Sequence, residues 1–197
     1  MTTRPPDPSR RAILTAASAA VATAIIDAAP ARAHNGAGVV QPPAPPPAAR
    51  LTLDDGRASN LHDVLAGRVT ALQLIFTRCR ATCPIQGAIF GRAVQALGDS
   101  VADARWLSVS IDPSYDDPGA LRAWLARFGV SPRWRAARPD PADLPPLFDF
   151  LNARAGGADN HTAQVYFFDR AGNLAMRSLD FPPVATIVRI MHGLSAR

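Results

Sequence analysis

The sequence predicts an α/β fold in which one β-sheet lies between two layers of helices and a β-hairpin precedes the main strands. Three observations predict it. The runs at residues 69–76 and 105–111 are almost continuously apolar, as in strands that are buried on both faces. A stretch with apolar residues at helical spacing follows each run, which is typical of β-α-β connections. Hydrophobic residues make up 48% of the chain and charged residues 19%, a composition that supports a packed core.

The predicted strands lie between residue 50 and the C-terminus. In chain order they are residues 51–53, 57–61, 69–76, 105–111, 163–169 and 174–178. The first two flank Asp54-Asp55-Gly56, which favours a tight turn, so we expect them to form the N-terminal hairpin. The last two flank the turn sequence at residues 170–173 and are predicted to form a second hairpin for the same reason.

Four main helices are predicted between and after these strands. They are residues 84–97, 117–128, 143–153 and 183–194. Asp117 followed by Pro118 is a favourable N-cap and first-turn pair, and Gly129 ends the same helix. The order of the strands and helices predicts a three-layer sandwich of the thioredoxin type, formed by residues 50–197.

Residues 1–33 have the features of an export signal. Arg10-Arg11 precedes an uncharged stretch at 12–26, and Ala31-Arg32-Ala33 is a small-x-small cleavage signature. The stretch is shorter than the ~20 apolar residues that span a bilayer. The paired arginines predict a twin-arginine signal, with an ordinary secretory signal as the alternative. We therefore expect a periplasmic product, either soluble or held loosely at the membrane by an uncleaved signal.

Residues 34–49 contain the proline-rich stretch from Pro42 to Pro47. Because proline fixes φ and favours extended polyproline geometry, this segment is predicted to be a spacer between the export signal and the domain.

The charged residues exclude several classes of function. All 21 basic residues are Arg and all 16 acidic residues are Asp. The absence of Lys and Glu excludes a Schiff-base lysine, a phosphate-binding lysine of the Walker type and a glutamate general base. The net charge is +5, but no run of basic residues exceeds two, so nucleic-acid binding is not expected. Any catalytic or ligand-binding group must therefore come from Cys, His, Asp, Arg, Tyr or the backbone.

Cys79 and Cys83 are the only cysteines, and they follow the first buried strand. The carboxyl ends of parallel strands are where α/β sheets place their ligands. Pro84 suits the first turn of a helix, which puts Cys83 near the N-cap, where free N–H groups and the helix dipole stabilise a thiolate. Arg78 and Arg80 add positive charge beside Cys79.

Three explanations of the cysteine pair compete. A structural disulfide suits an exported protein, but a loop this short gains little entropy from closure. A redox-active dithiol pair is the second explanation. Copper ligation is the third, since soft thiolates select Cu(I), and an added imidazole allows the site to hold Cu(II) as well. Zinc would require four ligands, and only three good candidates are present.

Three blocks of the sequence resemble the Sco/SenC family. Residues 76–84, from Phe76 to Pro84, match its strand ending in Phe-Thr followed by Cys-x-x-x-Cys-Pro. Residues 109–118 resemble its strand ending in Asp-Pro followed by Asp-x-Pro. Residues 159–162 followed by 165–172 resemble its Asp-His-Ser segment and hairpin. The blocks occur in the order of the family and extend over most of residues 50–197.

The resemblance implies a function and a set of site residues. Family members are exported, thioredoxin-like proteins, and the matching copper ligands here are Cys79, Cys83 and His161. Such proteins deliver copper to the binuclear centre of cytochrome c oxidase or reduce its cysteines, which implies the copper-accepting oxidase subunit or another periplasmic cuproprotein as partner. The alternative is a thiol–disulfide oxidoreductase of redox homeostasis that uses Cys79 and Cys83 and delivers no copper.

The sequence departs from the family between the cysteines. Arg80-Ala81-Thr82 stands where acidic or proline residues are more familiar, and the added arginine favours thiolates but repels incoming copper ions. Asp112, at the end of the second buried strand, has two interpretations. It could support a metal ligand or a docked partner, or it could belong to the turn that enters the next helix, which we favour. His62 and His192 are interpreted as structural.

Overall fold

A computed structural model describes residues 36–129, 131–154 and 162–197. Eight strands in these ranges form one sheet. They are β1 (Gly38–Ala44), β2 (Arg50–Leu53), β3 (Ala58–Asn60), β4 (Val69–Ile75), β5 (Ala104–Ser110), β6 (Trp134–Pro139), β7 (Val165–Phe168) and β8 (Leu174–Arg177). Their order across the sheet is β1-β8-β7-β4-β5-β6-β2-β3.

The centre of the sheet is parallel and its flanks are antiparallel. Strands β4, β5 and β6 run in the same direction, with Leu72 opposite Leu107 and Leu107 opposite Arg135. Strand β7 runs against β4, and β2 runs against β6. Every residue of β4 is buried, because helices cover the sheet on both faces. The loop that contains Cys79 follows the carboxyl end of this central strand and leads into the helix that contains Cys83.

Five α-helices in the described ranges cover the sheet. They are α1 (Leu61–Leu65), α2 (Thr82–Leu97), α3 (Pro118–Ala126), α4 (Leu144–Leu151) and α5 (Val184–Ser195). Helices α2, α3 and α5 share one core with residues such as Ala71 and Ile75 of β4. Helices α1 and α4 share a second core with Leu72 and Leu74, which point to the opposite face. This confirms the predicted three-layer sandwich.

The predicted hairpins and helix starts agree with the structure. Strands β2 and β3 pair in antiparallel fashion and form the N-terminal hairpin, and β7 pairs with β8. The side chain of Asp117 caps α3 by accepting a hydrogen bond from the backbone of Ala120 at 2.7 Å. A single 3₁₀ turn, Pro141–Asp143, precedes α4, so the helix predicted at 143–153 is shorter than expected.

Strand β6 is not among the predicted strands. Its sequence, Trp-Arg-Ala-Ala-Arg-Pro, lacks the β-branched residues and the apolar continuity of β4 and β5. Tertiary contacts stabilise it instead, since Arg135 donates to Asp54 at 2.7 Å and Arg138 donates to the carbonyl of Pro113 at 2.8 Å. The strand therefore depends on partners that are distant in the sequence.

The segment predicted as a proline-rich spacer also differs from expectation. Residues Gly38–Ala44 form β1, which pairs with the outer side of β8, with Gly38 opposite Arg177 and Val39 opposite Met176. Proline cannot donate a ladder hydrogen bond, but an edge strand has one side without partners, so prolines are tolerated there. The spacer interpretation is corrected for this part of residues 34–49.

None of the helices in the ranges that the structure describes is long and apolar enough to cross a membrane.

Candidate metal centre

The two cysteines lie close together where β4 meets α2. A turn after β4 is closed by the backbone N–H of Cys79, which donates to the carbonyl of Phe76 at 3.1 Å. Cys83 is the second residue of α2, as the adjacent proline predicted. Neither cysteine is in a disulfide bond, and Cys79 is 6% exposed whereas Cys83 is fully buried. The interpretation as a structural disulfide therefore has no support here.

The sulfur of Cys79 takes the place of a helix cap. Ala81, the N-cap residue of α2, has no side-chain acceptor for the unpaired N–H groups of the first turn. Instead, the backbone N–H of Cys83 donates to the Cys79 Sγ at 3.3 Å. An N–H donor and the positive end of the helix dipole both favour the anionic form of sulfur. The Cys79 sulfur therefore accepts a hydrogen bond at the N-terminus of α2, where no side-chain cap is present.

A buried aspartate anchors the loop that precedes Cys79. Asp116 is fully buried, and its carboxylate accepts hydrogen bonds from the Thr77 hydroxyl at 2.6 Å and the Thr77 backbone N–H at 3.1 Å. It also accepts from the Ser110 hydroxyl at 2.6 Å. Because Ser110 ends β5 and Thr77 follows β4, this carboxylate joins the two strand ends and holds the cysteine loop in place.

The arginines on either side of Cys79 have different surroundings. Arg78 forms an ion pair with Asp112 at 2.7 Å and lies 3.6 Å above the centre of the Tyr115 ring. The hydrogen bond to Asp112 raises the pKa of Arg78 above its usual value. Arg80 forms no ion pair with the described residues, so its charge stays available to the site. Asp112 thus belongs to the surface that borders the cysteine loop.

Cys79 borders a surface hollow of about 530 Å³. The hollow is lined by Thr77, Arg78, Cys79, Arg80, Pro84 and Arg127. Cys83 is not part of this lining. Cys79 therefore borders the hollow, whereas Cys83 is fully buried and is not among the residues that line it.

The predicted third ligand, His161, lies outside the described residues. The chain is described again from Thr162, and the backbone carbonyl of Gln164 accepts a hydrogen bond from Gln86 Nε2 at 3.1 Å. Gln86 is buried on α2, one turn after Cys83. Within residues 36–129, 131–154 and 162–197, no three His, Cys or Asp side chains converge as a metal-ligand set.

The two other histidines in these ranges have structural surroundings. His62 is exposed on α1, with its Nδ1 3.6 Å from a carboxylate oxygen of Asp63. His192 lies in the last turn of α5, with its Nε2 3.3 Å from the Ser100 hydroxyl. The structural role predicted for these two histidines stays a prediction.

Sequence reasoning missed three residues of this site. Asp116 was interpreted only as part of a helix-entry turn, and no role was predicted for Gln86 or Arg127. Asp112, Asp116 and Asp117 lie within six residues of one another, and nothing local distinguishes the buried one from the others. These aspartates directly follow a buried strand, and this position could have indicated a role at the site, because loops after such strands often line sites.

A protein-family model described as SCO1/SenC matches residues 49–192 of the chain. The chain belongs to the SCO1/SenC family. The match begins one residue before β2 and ends within α5, so it includes the whole cysteine loop. This confirms the resemblance that the three sequence blocks indicated. The chain matches none of the curated proteins with which it was compared.

Solved structures of SCO1/SenC family proteins share the fold. A SCO1/SenC family lipoprotein from Bacillus anthracis has a TM-score of 0.68 at 22% identity, over 79% of this chain and 99% of that chain. ScoI of Bradyrhizobium japonicum with copper bound has a TM-score of 0.64 at 21% identity, over 77% and 99%. BsSco, a member of the Sco family of cytochrome c oxidase assembly proteins with a disulfide switch, has a TM-score of 0.67 at 20% identity, over 78% and 95%.

Proposed function

We propose that this protein binds copper through Cys79, Cys83 and His161 and supports maturation of the copper centre of cytochrome c oxidase. The observation that carries the proposal is the placement of two buried cysteines without a disulfide at the start of α2, where the backbone N–H of Cys83 donates to the Cys79 Sγ at 3.3 Å. Family membership supports it, because ScoI of Bradyrhizobium japonicum, a structural relative, is known with copper bound, and BsSco belongs to a family of oxidase assembly proteins.

The donor set present in the chain fits copper. Two thiolates select Cu(I), and an imidazole as third ligand allows the same site to hold Cu(II). Zinc is a poorer fit, since structural zinc sites use four protein ligands. Cys83 is fully buried and belongs to the apolar core that also includes Ile75 and Phe90, which limits access of water to its side chain.

The hydrogen bond between Gln86 and the Gln164 carbonyl supports His161 as the third ligand. Gln86 lies three residues after Cys83, and Gln164 lies three residues after His161. Three residues of chain extend over at most about 11 Å. The histidine is therefore attached to a segment that is hydrogen-bonded to the cysteine helix, although it is far from both cysteines in the sequence.

The decisive experiment is metal analysis with spectroscopy of the reduced protein. The wild type should bind about one copper ion per chain and show thiolate-to-Cu(II) charge-transfer absorption. Cys79→Ser and Cys83→Ser should abolish the absorption, and His161→Ala should weaken Cu(II) binding and shift the absorption. His62→Ala, at the exposed histidine of α1, is the matched control. A His161→Ala protein with the wild-type spectrum and affinity would contradict the proposed ligand set.

A second function, thiol–disulfide exchange, is favoured by the position of Cys79 in the lining of the hollow. The Cys79 thiolate would form a bond with one sulfur of a target disulfide, whose S–S bond breaks and whose other sulfur leaves as a thiolate. The Cys83 thiol, losing its proton to solvent, would then bond to the Cys79 sulfur and release the first target sulfur. The target is reduced and the pair is oxidised. The disulfide switch in BsSco is consistent with such chemistry.

His161 distinguishes the two functions. Turnover of a protein disulfide, with a small dithiol to regenerate the pair, should require both cysteines and should be unchanged in His161→Ala. Copper binding should require all three residues. Loss of turnover and of copper binding together in His161→Ala would contradict independent thiol chemistry.

We also propose that residues 1–33 export the protein to the periplasm, where a cuproprotein such as the copper-accepting oxidase subunit is its partner. The paired arginines and the small-x-small sequence support this. Replacing Arg10 and Arg11 by Gln should abolish export by the twin-arginine route, measured by cell fractionation, while replacing Arg4 by Gln should leave it intact. Normal export of the double variant would contradict the assignment of the route.

A further inference from the structure

A second cavity lies at the opposite end of the central strands from the cysteines. Its volume is about 320 Å³, and it is bordered by the N-terminal hairpin, α1 and the first residues of β4 and β5. Thr70 and Arg105 line it and are neighbours in register across β4 and β5. Thr70 precedes the carboxyl end of β4 by five residues, which is about 17 Å of strand. The cavity is therefore separate from the metal centre.

Four arginines line this cavity, and two of them are neutralised. Arg57 forms an ion pair with Asp55 at 2.8 Å. Arg135 forms ion pairs with Asp54 at 2.7 Å and with Asp55 at 2.8 Å. Arg135 holds the turn of the N-terminal hairpin against β6, and Arg57 pairs within that turn, so both charges have a structural purpose.

The other two arginines, Arg68 and Arg105, form no ion pair with the described residues. Both are half-buried, and the one hydrogen bond that the Arg105 guanidinium makes to a described residue joins it to the carbonyl of the preceding residue at 2.8 Å. The acids nearby are engaged elsewhere. Asp63, which also lines the cavity, accepts a hydrogen bond from the capping residue of α1 at 2.6 Å, and Asp103 is ion-paired with Arg170 at 2.6 Å.

The positive charges of Arg68 and Arg105 lie at this cavity at a cost in free energy. Burial lowers the pKa of Arg105, and repulsion from Arg68 and Arg133 lowers it further, although attraction to Asp103 offsets part of this effect. Removing a charge from water has a cost that a counter-charge normally offsets. Arg133 has such a partner in Asp99 at 2.9 Å, whereas Arg68 and Arg105 line the cavity and have no acid at ion-pair distance in the part of the chain that the structure describes.

An independent observation on the same cavity also indicates a ligand. The side chain of Thr70 is fully buried, and its Oγ1 has no hydrogen-bond partner among the described residues. Buried hydroxyl groups are nearly always satisfied. A threonine hydroxyl can donate one hydrogen bond, so an acceptor in the cavity would satisfy it.

We propose that this cavity binds a small carboxylate or phosphate anion between the guanidinium groups of Arg68 and Arg105, with the Thr70 hydroxyl as a further donor. The planar guanidinium group presents paired N–H donors that match the oxygens of both anions. Leu53, Val64 and Leu107 supply apolar walls. The volume is at the lower end of the roughly 300–1,000 Å³ that is typical of ligand pockets, so the ligand is a small molecule.

The test is calorimetric titration of the full-length protein with inorganic phosphate and, separately, with succinate, at constant ionic strength. The wild type should bind at least one of the two anions saturably. Comparison of the two affinities then shows whether the site prefers a phosphate or a carboxylate ligand. Arg68→Gln and Arg105→Gln should each weaken binding by about tenfold or more, as expected for loss of a hydrogen-bonded charge. Arg189→Gln is the matched control, because Arg189 lies on α5, is not part of the cavity lining, and donates a hydrogen bond to Thr186 of the same helix at 3.2 Å.

A second readout separates a built site from a general effect of anions. Without added anion and at low salt, Arg105→Gln should melt at no lower temperature than the wild type, because it removes repulsion, yet it should lose the anion-dependent rise in melting temperature. If it folds poorly, Arg68→Gln tests the same point. Equal responses in the wild type and both variants would mean an adventitious ion only. The absence of saturable binding of either anion would equally overturn the proposal. Neither readout involves copper, so the outcome is independent of the function proposed for the cysteines.

Discussion

At the residue scale, the chemistry of the cysteine pair depends on neighbours that carry no obvious signature. Ala81 matters because it cannot cap α2, which leaves the N–H of Cys83 to the Cys79 sulfur. Asp116 matters because it is the buried acceptor that joins the loop after β4 to the end of β5. Both effects act on the position and charge of one sulfur atom.

Supplying a helix cap should reduce the reactivity of Cys79. In Ala81→Ser, the hydroxyl competes with the sulfur for the N–H groups of the first turn, so alkylation of Cys79 by iodoacetamide at neutral pH should become slower. The free energy of unfolding should rise by about 0.5–1 kcal/mol, as for other capping residues. Ala88→Ser, on the exposed side of α2, should neither slow the alkylation of Cys79 nor raise the free energy of unfolding. Faster alkylation in Ala81→Ser would contradict the capping role of the sulfur.

Removing the charge of Asp116 should weaken the whole loop. In Asp116→Asn, an amide N–H₂ group replaces an acceptor oxygen beside the Thr77 and Ser110 donors, which leaves buried hydrogen bonds unmade. We expect the free energy of unfolding, measured by urea denaturation, to fall by about 2–3 kcal/mol. Asp112→Asn is the matched control, since its partner Arg78 is largely exposed, and it should cost less than about 1 kcal/mol. Equal losses in the two variants would contradict the anchoring role.

At the scale of elements, the position of α2 depends on two glycines that admit a neighbouring segment. A Cβ at Gly87 would lie 2.7 Å from the ring of Phe128, and a Cβ at Gly91 would lie 2.6 Å from the Phe128 carbonyl oxygen. Phe128 follows α3, so the absence of side chains at these positions lets the end of α3 approach α2. The same helix positions Cys83 under the hollow.

Gly91→Ala should therefore destabilise the protein, although alanine favours helices. Replacing glycine by alanine inside a helix normally stabilises by roughly 0.5–1 kcal/mol. At position 91 the clash is with backbone and requires α3 to move, so thermal unfolding should occur at a lower temperature. Gly193→Ala in α5, where a Cβ would meet no atom within 4 Å, should show the normal stabilisation. A stabilised Gly91→Ala protein would show that α3 can shift at little cost.

At the scale of the whole molecule, the two helical layers enclose a sheet whose central strands are buried on both faces. Tyr166 of β7 illustrates the consequence. It is fully buried, and its hydroxyl lies 2.7 Å from the Thr162 hydroxyl. Burial raises the pKa of Tyr166 to about 12, whereas the unfolded chain would have a value near 10. Global stability is therefore linked to ionisation of this one group.

Stability should fall as pH rises from about 10 to about 12, because the unfolded state loses its Tyr166 proton first. Below pH 10 the raised pKa of Tyr166 makes its full contribution to the free energy of unfolding, which is on the order of 2 kcal/mol. Urea denaturation at pH 8 and at pH 11 should show a smaller decrease in Tyr166→Phe than in the wild type. Tyr115→Phe, at the exposed second tyrosine, should retain the full decrease. The same decrease in both variants would exclude Tyr166 as its cause.

Prediction from the sequence succeeded where the signal is local. The apolar runs of β4 and β5, the Asp117-Pro118 helix start and the two turn sequences all lie within a few residues of the elements that they predict. Prediction from the sequence failed for β6 and β1, because their residues do not show the apolar pattern that is typical of strands. Arg135 and Arg138 of β6 have partners in the hairpin and in the loop after β5, and β1 completes the free edge of β8.

The sequence by itself determined the order of the main elements, the family and the cysteine pair at the start of α2, because periodicity, turn residues and motif spacing are properties of neighbouring residues. Only the tertiary structure decided that Asp116 rather than Asp112 is buried, that Cys79 rather than Cys83 borders the hollow, and that Arg68 and Arg105 meet at a cavity. These features depend on segments that are far apart in the chain, and burial and charge pairing exist only after the segments have packed together.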